Sequence, residues 1–287
     1  MHLRDWYDLT RLDHGILWGT AVVIGAGLAY RGFPPLKFVF LGFIIPVLIE
    51  VGIFALNDYI DIDSDILNKR TDRPLTRHAI PTQYPLYFSL AVLPVSIALG
   101  VLTGLKNPFL IVVAFIVLGI LYNVKLKEFP LVKNLIMGLC IAAPLVGGNL
   151  LITNEILPVV MILSICAFTA GFGREVLKDM MDTLGDKSVG CTTFPILFGL
   201  RRSAILVSSL IGTAGIFILF PYFYPFDQIY YHDPFYLIPA CATCALIIMC
   251  VYSLFKDTSR KNIQVLRKRT LHIIELGIIT FITGALF

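Results

Sequence analysis

Residues 36–65 read LKFVFLGFIIPVLIEVGIFALNDYIDIDSD. An apolar run from Leu36 to Leu56 passes without a loop into Asn57-Asp58-Tyr59-Ile60-Asp61-Ile62-Asp63-Ser64-Asp65. A helix rising 1.5 Å per residue needs about 20 apolar residues to cross the roughly 30 Å of a bilayer's hydrocarbon, and this run has that length. Within the acidic stretch, Asp58, Asp61 and Asp65 are spaced i, i+3, i+7. At about 100° per residue they fall on one helical face. Asp63 lies at a different angle.

A second stretch repeats the spacing. Lys178-Asp179-Met180-Met181-Asp182-Thr183-Leu184-Gly185-Asp186-Lys187 places Asp179, Asp182 and Asp186 at i, i+3, i+7, again directly after an apolar run. Three like charges on one face repel and weaken a helix. A solvated acidic loop would account for one such cluster. Two of matching spacing, each interleaved with lysine and arginine, call for a compensating charge. Hard carboxylate oxygens suit magnesium, which keeps several waters and shares one or two carboxylates with a substrate phosphate. The basic residues nearby fit the phosphate half of that arrangement. Arg70 follows the first cluster, Tyr122, Lys125 and Lys127 follow a later apolar run, and Arg174 and Lys178 lead into the second cluster. Their side chains are the kind that clamp phosphate oxygens, and Asn57 adds an amide.

Composition agrees with a bilayer protein. The 287 residues are 57% hydrophobic and 15% charged, with a mean hydropathy of +0.83. Soluble domains run nearer 45–50% apolar and about 25% charged. Nine apolar segments are expected, roughly 14–31, 36–57, 84–105, 107–124, 131–153, 155–177, 202–223, 234–255 and 269–287, with a turn at Lys106-Asn107-Pro108. Pro46, Pro94 and Pro144 fall inside segments, as membrane helices tolerate. Met1 to His14 is polar and mixed, so no cleavable signal peptide is evident and the first segment directs insertion. With nine spans, 20 of the 23 lysines and arginines fall on one side, leaving only Arg31, Lys37 and Lys106 on the other. By the positive-inside rule this puts the N-terminus and both aspartate motifs in the cytoplasm. The fold class expected is all-α: a polytopic membrane bundle of about nine helices. It forms a single domain (1–287) with two pseudo-repeat halves, roughly 1–125 and 126–287.

Other signals are weak. Six cysteines lie mostly in apolar runs, and Cys241-x-x-Cys244 has no second pair beside it. His14, His78, His232 and His272 show no metal or base spacing. Nothing calls for nucleic acid or for an obligate protein partner.

At the two aspartate stretches the chain resembles the UbiA superfamily of intramembrane prenyltransferases. The family's NDxxDxxxD motif is matched by Asn57, Asp58, Asp61 and Asp65. Its NKxxxRPL pattern is matched by Asn68, Lys69, Arg73, Pro74 and Leu75. A middle YxxxLK pattern is matched by Tyr122, Lys125, Leu126 and Lys127. The second motif is matched by Arg174, Glu175, Lys178, Asp179, Asp182, Gly185 and Asp186, and Gly190 to Gly199 also has the family's look. The resemblance covers nearly the whole chain. It implies a helical bundle with a central cavity open to the bilayer, and Mg2+ bridging a diphosphate between the aspartate motifs. It implies Asp58, Asp61, Asp65, Asp179, Asp182 and Asp186 as metal residues, with Asp58, Asp61, Asp182 and Asp186 catalytic. Diphosphate contacts are Asn57, Arg70, Tyr122, Arg174, Lys178 and one or both of Lys125 and Lys127.

The activity expected is transfer of an isoprenyl group from an isoprenyl diphosphate to a lipophilic acceptor among membrane lipids. The leaving group is neutralised, and the allylic cation is kept from water by apolar walls. The acceptor is a quinone or aromatic head group, a prenylglycerol phosphate, or, third, haem. Where many members carry Arg-Pro before the first span, this chain has Arg11-Leu12-Asp13-His14, which counts against a hydroxybenzoate acceptor. No proton acceptor is marked beyond Tyr122 or a carboxylate. The rival from another class is a cation transporter using the two aspartate clusters as ion sites. It sits poorly with clusters on one face of the membrane. A phospholipid head-group transferase lacks its usual Gly, Ala and Arg-containing acid motif here.

Overall fold

A computed structural model describes residues 2–67, 70–71, 73–188 and 192–286, with the side chains of 184–186, 188 and 286 outside the description. Asn68, Lys69 and Gly190 of the matched patterns, and the side chains of Gly185 and Asp186, therefore lie outside the described residues. The described chain is all-α, with its helices joined by turns and loops. It comprises α1 (Leu3–Thr10), α2 (Leu12–Tyr30), α3 (Leu36–Ile60), α4 (Ile62–Leu67), α5 (Tyr84–Leu102), α6 (Lys106–Val124), α7 (Val132–Leu150), α8 (Pro158–Ser188), α9 (Phe194–Phe198), α10 (Leu200–Phe223), α11 (Pro234–Lys256) and α12 (Arg260–Leu286). Among the described residues eight helices, α2, α3, α5, α6, α7, α8, α10 and α11, are long and apolar enough to cross a membrane. The ninth expected segment is the second half of α12, which begins in the basic turn Arg260-Lys261. The expected turn at residues 106–108 is displaced. Lys106 already opens α6, and the reversal is made at Gly104, whose φ of +74° suits glycine. The N-terminal helix α1 was not foreseen.

The helices form two units. The first comprises Met1–Leu126 and Gly147–Glu155. Helix α3 is its axis, packed by α1, α2, α5 and α6. Lipid tails are as apolar as leucine, so helices associate in a bilayer through close van der Waals contact and small residues. A β-carbon built on Gly19 would stand 2.6 Å from the Phe43 carbonyl oxygen, and one on Gly15 would stand 3.3 Å from the Val47 backbone. Glycine is what lets α2 lie against α3. Ser89 Oγ on α5 donates to the Gly52 carbonyl on α3 at 2.7 Å. Leu9, Ala55, Leu75 and Ile80 seal the end of α3 beneath α1.

The second unit comprises Lys127–Val146 and Ile156–Phe287, built on α8 with α10, α11 and α12 around it. Val176, Leu177, Met180, Val207, Ile211 and Leu266 belong to its main apolar cluster. Tyr230 and Tyr236 bury their rings against Phe281, and their hydroxyls donate to the Phe281 and Ile218 carbonyls at 3.1 and 2.7 Å. Asp233 caps α11 by accepting from the Phe235 and Tyr236 N–H groups.

Candidate functional site

In the first unit the aspartate ladder is not one unbroken helix. Helix α3 ends at Ile60, Asp61 is its C-cap with φ −88° and ψ 2°, and α4 restarts at Ile62. The break is shallow. The Asp61 N–H still donates to the Asn57 carbonyl at 2.9 Å and the Asp65 N–H to the Asp61 carbonyl at 2.8 Å.

Asp58 is the most enclosed of the three, at 1% exposure. Its Oδ1 accepts from Arg11 Nη2 at 2.8 Å and from Arg73 Nη1 at 2.7 Å. Its Oδ2 is buried without a hydrogen-bond partner among the described residues. Arg11 adopts the left-handed conformation that joins α1 to α2, with its guanidinium 4.2 Å over the Phe54 ring. Arg73 Nε also lies 3.8 Å from Asp65 Oδ2. Asn57 Nδ2 donates to Asp61 Oδ2 at 3.0 Å and to Asn123 Oδ1 at 2.9 Å. Asn123 is itself fixed by donating to the Ile53 carbonyl at 3.2 Å. Arg70 joins the group through its backbone N–H, which donates to the Asp65 carbonyl at 3.0 Å. Tyr122 and Lys125 flank Asn123 at the end of α6. Asp5 and Asp8 of α1 hold Arg77 Nη2 at 2.9 and 3.0 Å. The His2 N–H and the nearby Arg77 guanidinium hold the Asp5 carboxyl below the usual carboxylate range.

In the second unit Asp179, Asp182 and Asp186 do lie on one continuous helix, α8. Asp179 is buried, with Lys133 Nζ at 2.8 Å from Oδ1 and Asn134 Nδ2 at 2.9 Å from Oδ2. Asp182 is half-buried and makes no ion pair among the described residues. Arg174 and Lys178 both lean on Glu175, at 3.4 and 3.6 Å. Lys127, in a short 3-10 turn, also belongs to this unit.

The structure thus adds Arg11, Arg73, Asn123, Lys133 and Asn134 to the residues expected. Arg73 stands in a matched pattern, and Lys133 is one of the 20 basic residues counted on one side. Neither asparagine carried any signal in spacing, because each reaches its aspartate from another helix. Among the described residues no group of three or more His, Cys, Asp or Glu is placed to hold a metal. The donor set does fit a magnesium shared with a phosphate, because that ion uses one or two carboxylates and completes its shell with water and substrate oxygens. The unpartnered buried oxygen of Asp58 is one such donor.

Each unit of this all-helical membrane fold thus carries an aspartate motif beside basic side chains. The profile of the UbiA prenyltransferase family matches residues 17–274, and the chain belongs to that family. It is an integral, multi-pass membrane enzyme, a prenyltransferase. It is 32% identical over 284 residues to digeranylgeranylglyceryl phosphate synthase of Archaeoglobus fulgidus, covering 99% of this chain and 96% of that protein. The enzyme of the same name from Thermococcus gammatolerans is 34% identical over 217 residues, covering 75% and 76%. Among solved structures, one on digeranylgeranylglyceryl phosphate synthase in membranes superposes with a TM-score of 0.84 at 24% identity, covering 99% and 98% of the two chains. A UbiA homologue from Archaeoglobus fulgidus bound to DMAPP and Mg2+ superposes with a TM-score of 0.67 at 16% identity, covering 96% and 99%. These two likenesses speak to the fold.

Proposed function

We infer that this chain attaches a geranylgeranyl group to the free hydroxyl of a geranylgeranylglyceryl phosphate, giving a digeranylgeranylglyceryl phosphate and diphosphate. The observation that carries this reading is the near end-to-end match to a synthase of that name. The family match leaves the transporter alternative without support.

The residues divide the work. Asn57, Asp58, Asp61, Asp65, Asp179, Asp182 and Asp186 are the proposed magnesium and diphosphate residues. Magnesium, when bound, supplies positive charge that eases departure of the diphosphate. Arg70, Tyr122, Lys125, Lys127, Arg174 and Lys178 are the proposed diphosphate contacts. Arg11 and Arg73, on one oxygen of Asp58, keep that carboxylate compensated and fixed. Rigid placement of this kind spares reorganisation as charge develops. The apolar spans exclude water from the allylic centre and solvate both tails. The basic bias of the loops supports a cytoplasmic placement of the N-terminus and both motifs. The repeated aspartate spacing, 121 residues apart, supports two pseudo-repeat halves.

The test is a reaction in detergent with labelled geranylgeranyl diphosphate, magnesium and geranylgeranylglyceryl phosphate, with hydroxybenzoate as the competing acceptor. The expected outcome is a magnesium-dependent diether phosphate identified by mass. Product from hydroxybenzoate alone would overturn the assignment of the acceptor.

A further inference from the structure

Forming an ether from an alcohol releases a proton, and the residues assigned above, Tyr122 included, are given to magnesium and the diphosphate. One ionisable group of the first unit that the site does not use is Glu50. It lies within the span α3, well short of either end, and is 8% exposed. It makes no hydrogen bond or ion pair among the described residues. An ionisable side chain inside a membrane span is costly and in general marks function. One that is buried without a partner has no structural gain to set against that cost.

Its position matches the chemistry. On α3, Phe43 and Val47 meet α2, and Glu50, seven residues after Phe43 and four before Phe54, falls on the same side of the helix by its spacing. Phe43 meets Gly19 and Val47 meets Gly15. The Phe54 ring lies 5.5 Å from His14 and 4.2 Å from Arg11. Glu50 therefore stands on the face that continues through Phe54 to Asn57, seven residues further and about 10 Å along the helix. Asn57 and Asp58 mark the diphosphate end. The reacting carbon must lie membrane-ward of the diphosphate, because the isoprenyl tail is apolar, and Glu50 lies on that side of it.

We propose that Glu50 is the catalytic base of the transfer, taking the proton from the acceptor hydroxyl as it attacks the allylic carbon. The C1–O bond of the donor breaks with its electron pair leaving on the diphosphate. The hydroxyl oxygen forms the new C1–O ether bond. The O–H proton passes to a Glu50 carboxylate oxygen and later to water. This rests on the ether-forming reading given above.

The experiment uses the full chain in detergent, with magnesium, geranylgeranylglyceryl phosphate, and geranylgeranyl diphosphate carrying 18O in the C1–O bridge. Ether formation and scrambling of the label into non-bridging positions are read separately, the latter reporting C1–O cleavage on its own. In Glu50→Gln, ether formation is expected to fall about 100-fold or more, the contribution typical of a positioned base. The KM for the donor should hold within about 3-fold, and label scrambling should persist. Glu50→Asp is expected to recover part of the rate. An ether rate in Glu50→Gln within about 3-fold of wild type would overturn the proposal. So would loss of scrambling together with product, which would place Glu50 in ionisation or in the fold. If the wild-type chain makes no ether at all, the acceptor reading fails first, and the base for a hydroxyl falls with it.

Discussion

Replacing Arg11 with methionine is the most informative perturbation of the first aspartate site. It removes the 2.8 Å hydrogen bond to Asp58 and the stack over Phe54 while keeping an apolar stem. A hydrogen bond to a charged group contributes about 1.5–3 kcal/mol, and a cation–π contact about 0.5–2 kcal/mol. Stranding a buried charge costs about 3–5 kcal/mol, but Asp58 keeps Arg73 at 2.7 Å, so that full cost is not reached. Arg11 retains 22% side-chain exposure, so its contribution falls toward the low end, about 2–3 kcal/mol. At about 2–4 °C per kcal/mol, the apparent Tm in detergent without metal should fall by roughly 4–12 °C. Arg73→Met alone should act similarly. The two together leave Asp58 with neither cation, so the double variant should lose more than the sum, with a coupling of about 1 kcal/mol or more. Additivity within about 0.5 kcal/mol, or no effect of Arg11→Met, would refute the reading of Asp58 as a carboxylate shared by two arginines.

Asp58→Ala and Asp182→Ala should each lower kcat by about 100-fold or more, as loss of a preorganised charge-stabilising group does, measured by product formation at saturating donor; near-normal turnover would remove them from the site. Chelation should abolish product and magnesium restore it, and donor at about 100 times its Kd should stabilise the protein by about 2.7 kcal/mol only when magnesium is present, read as a shift in Tm. A β-carbon on Gly148 would collide with the Val22 carbonyl oxygen, whereas Gly147 has open space around it; Gly148→Ala should therefore cost about 1–3 kcal/mol or more and Gly147→Ala very little, compared by thermal unfolding. Asp5 titrates below its unfolded value, so its support of α1 is full above about pH 4 and is lost as pH falls through the lower, folded value. Hydrogen exchange in residues 3–10 should rise only at acid pH, and a rise at neutral pH would contradict the Asp5–Arg77 latch.

The helices were legible because each needs a long apolar run, and a run of that kind has one outcome in a bilayer. The aspartates were legible because both sets follow the end of such a run at matched spacing. What sequence did not show is what holds them. Arg11 sits 47 residues from Asp58, and Lys133 and Asn134 lie 46 and 45 residues before Asp179. No periodicity links partners that meet through tertiary packing. The break at Asp61 was also missed, since i, i+3, i+7 spacing fits a continuous helix and a helix with a shallow interruption equally well. In the sequence Arg11 marks only a departure from a family pattern. Its meaning came from geometry: a left-handed residue between two helices aims a guanidinium at the aspartate.

The two units solve the same electrostatic problem in the same way. In each, the first aspartate of the set is nearly enclosed, and enclosure of a bare carboxylate is costly. In each, a basic residue reaches it from another part of the chain, Arg11 and Arg73 on Asp58 and Lys133 on Asp179. In each, a buried asparagine is tied to the set, Asn123 through Asn57 to Asp61, and Asn134 directly to Asp179. The protein therefore compensates the charge of the first aspartate of each set, while Asp61 and Asp182 are only half-buried. Glu50 stands apart from this pattern: it is enclosed within a span, and among the described residues no side chain hydrogen-bonds it, which leaves both carboxylate oxygens free to accept from a substrate hydroxyl.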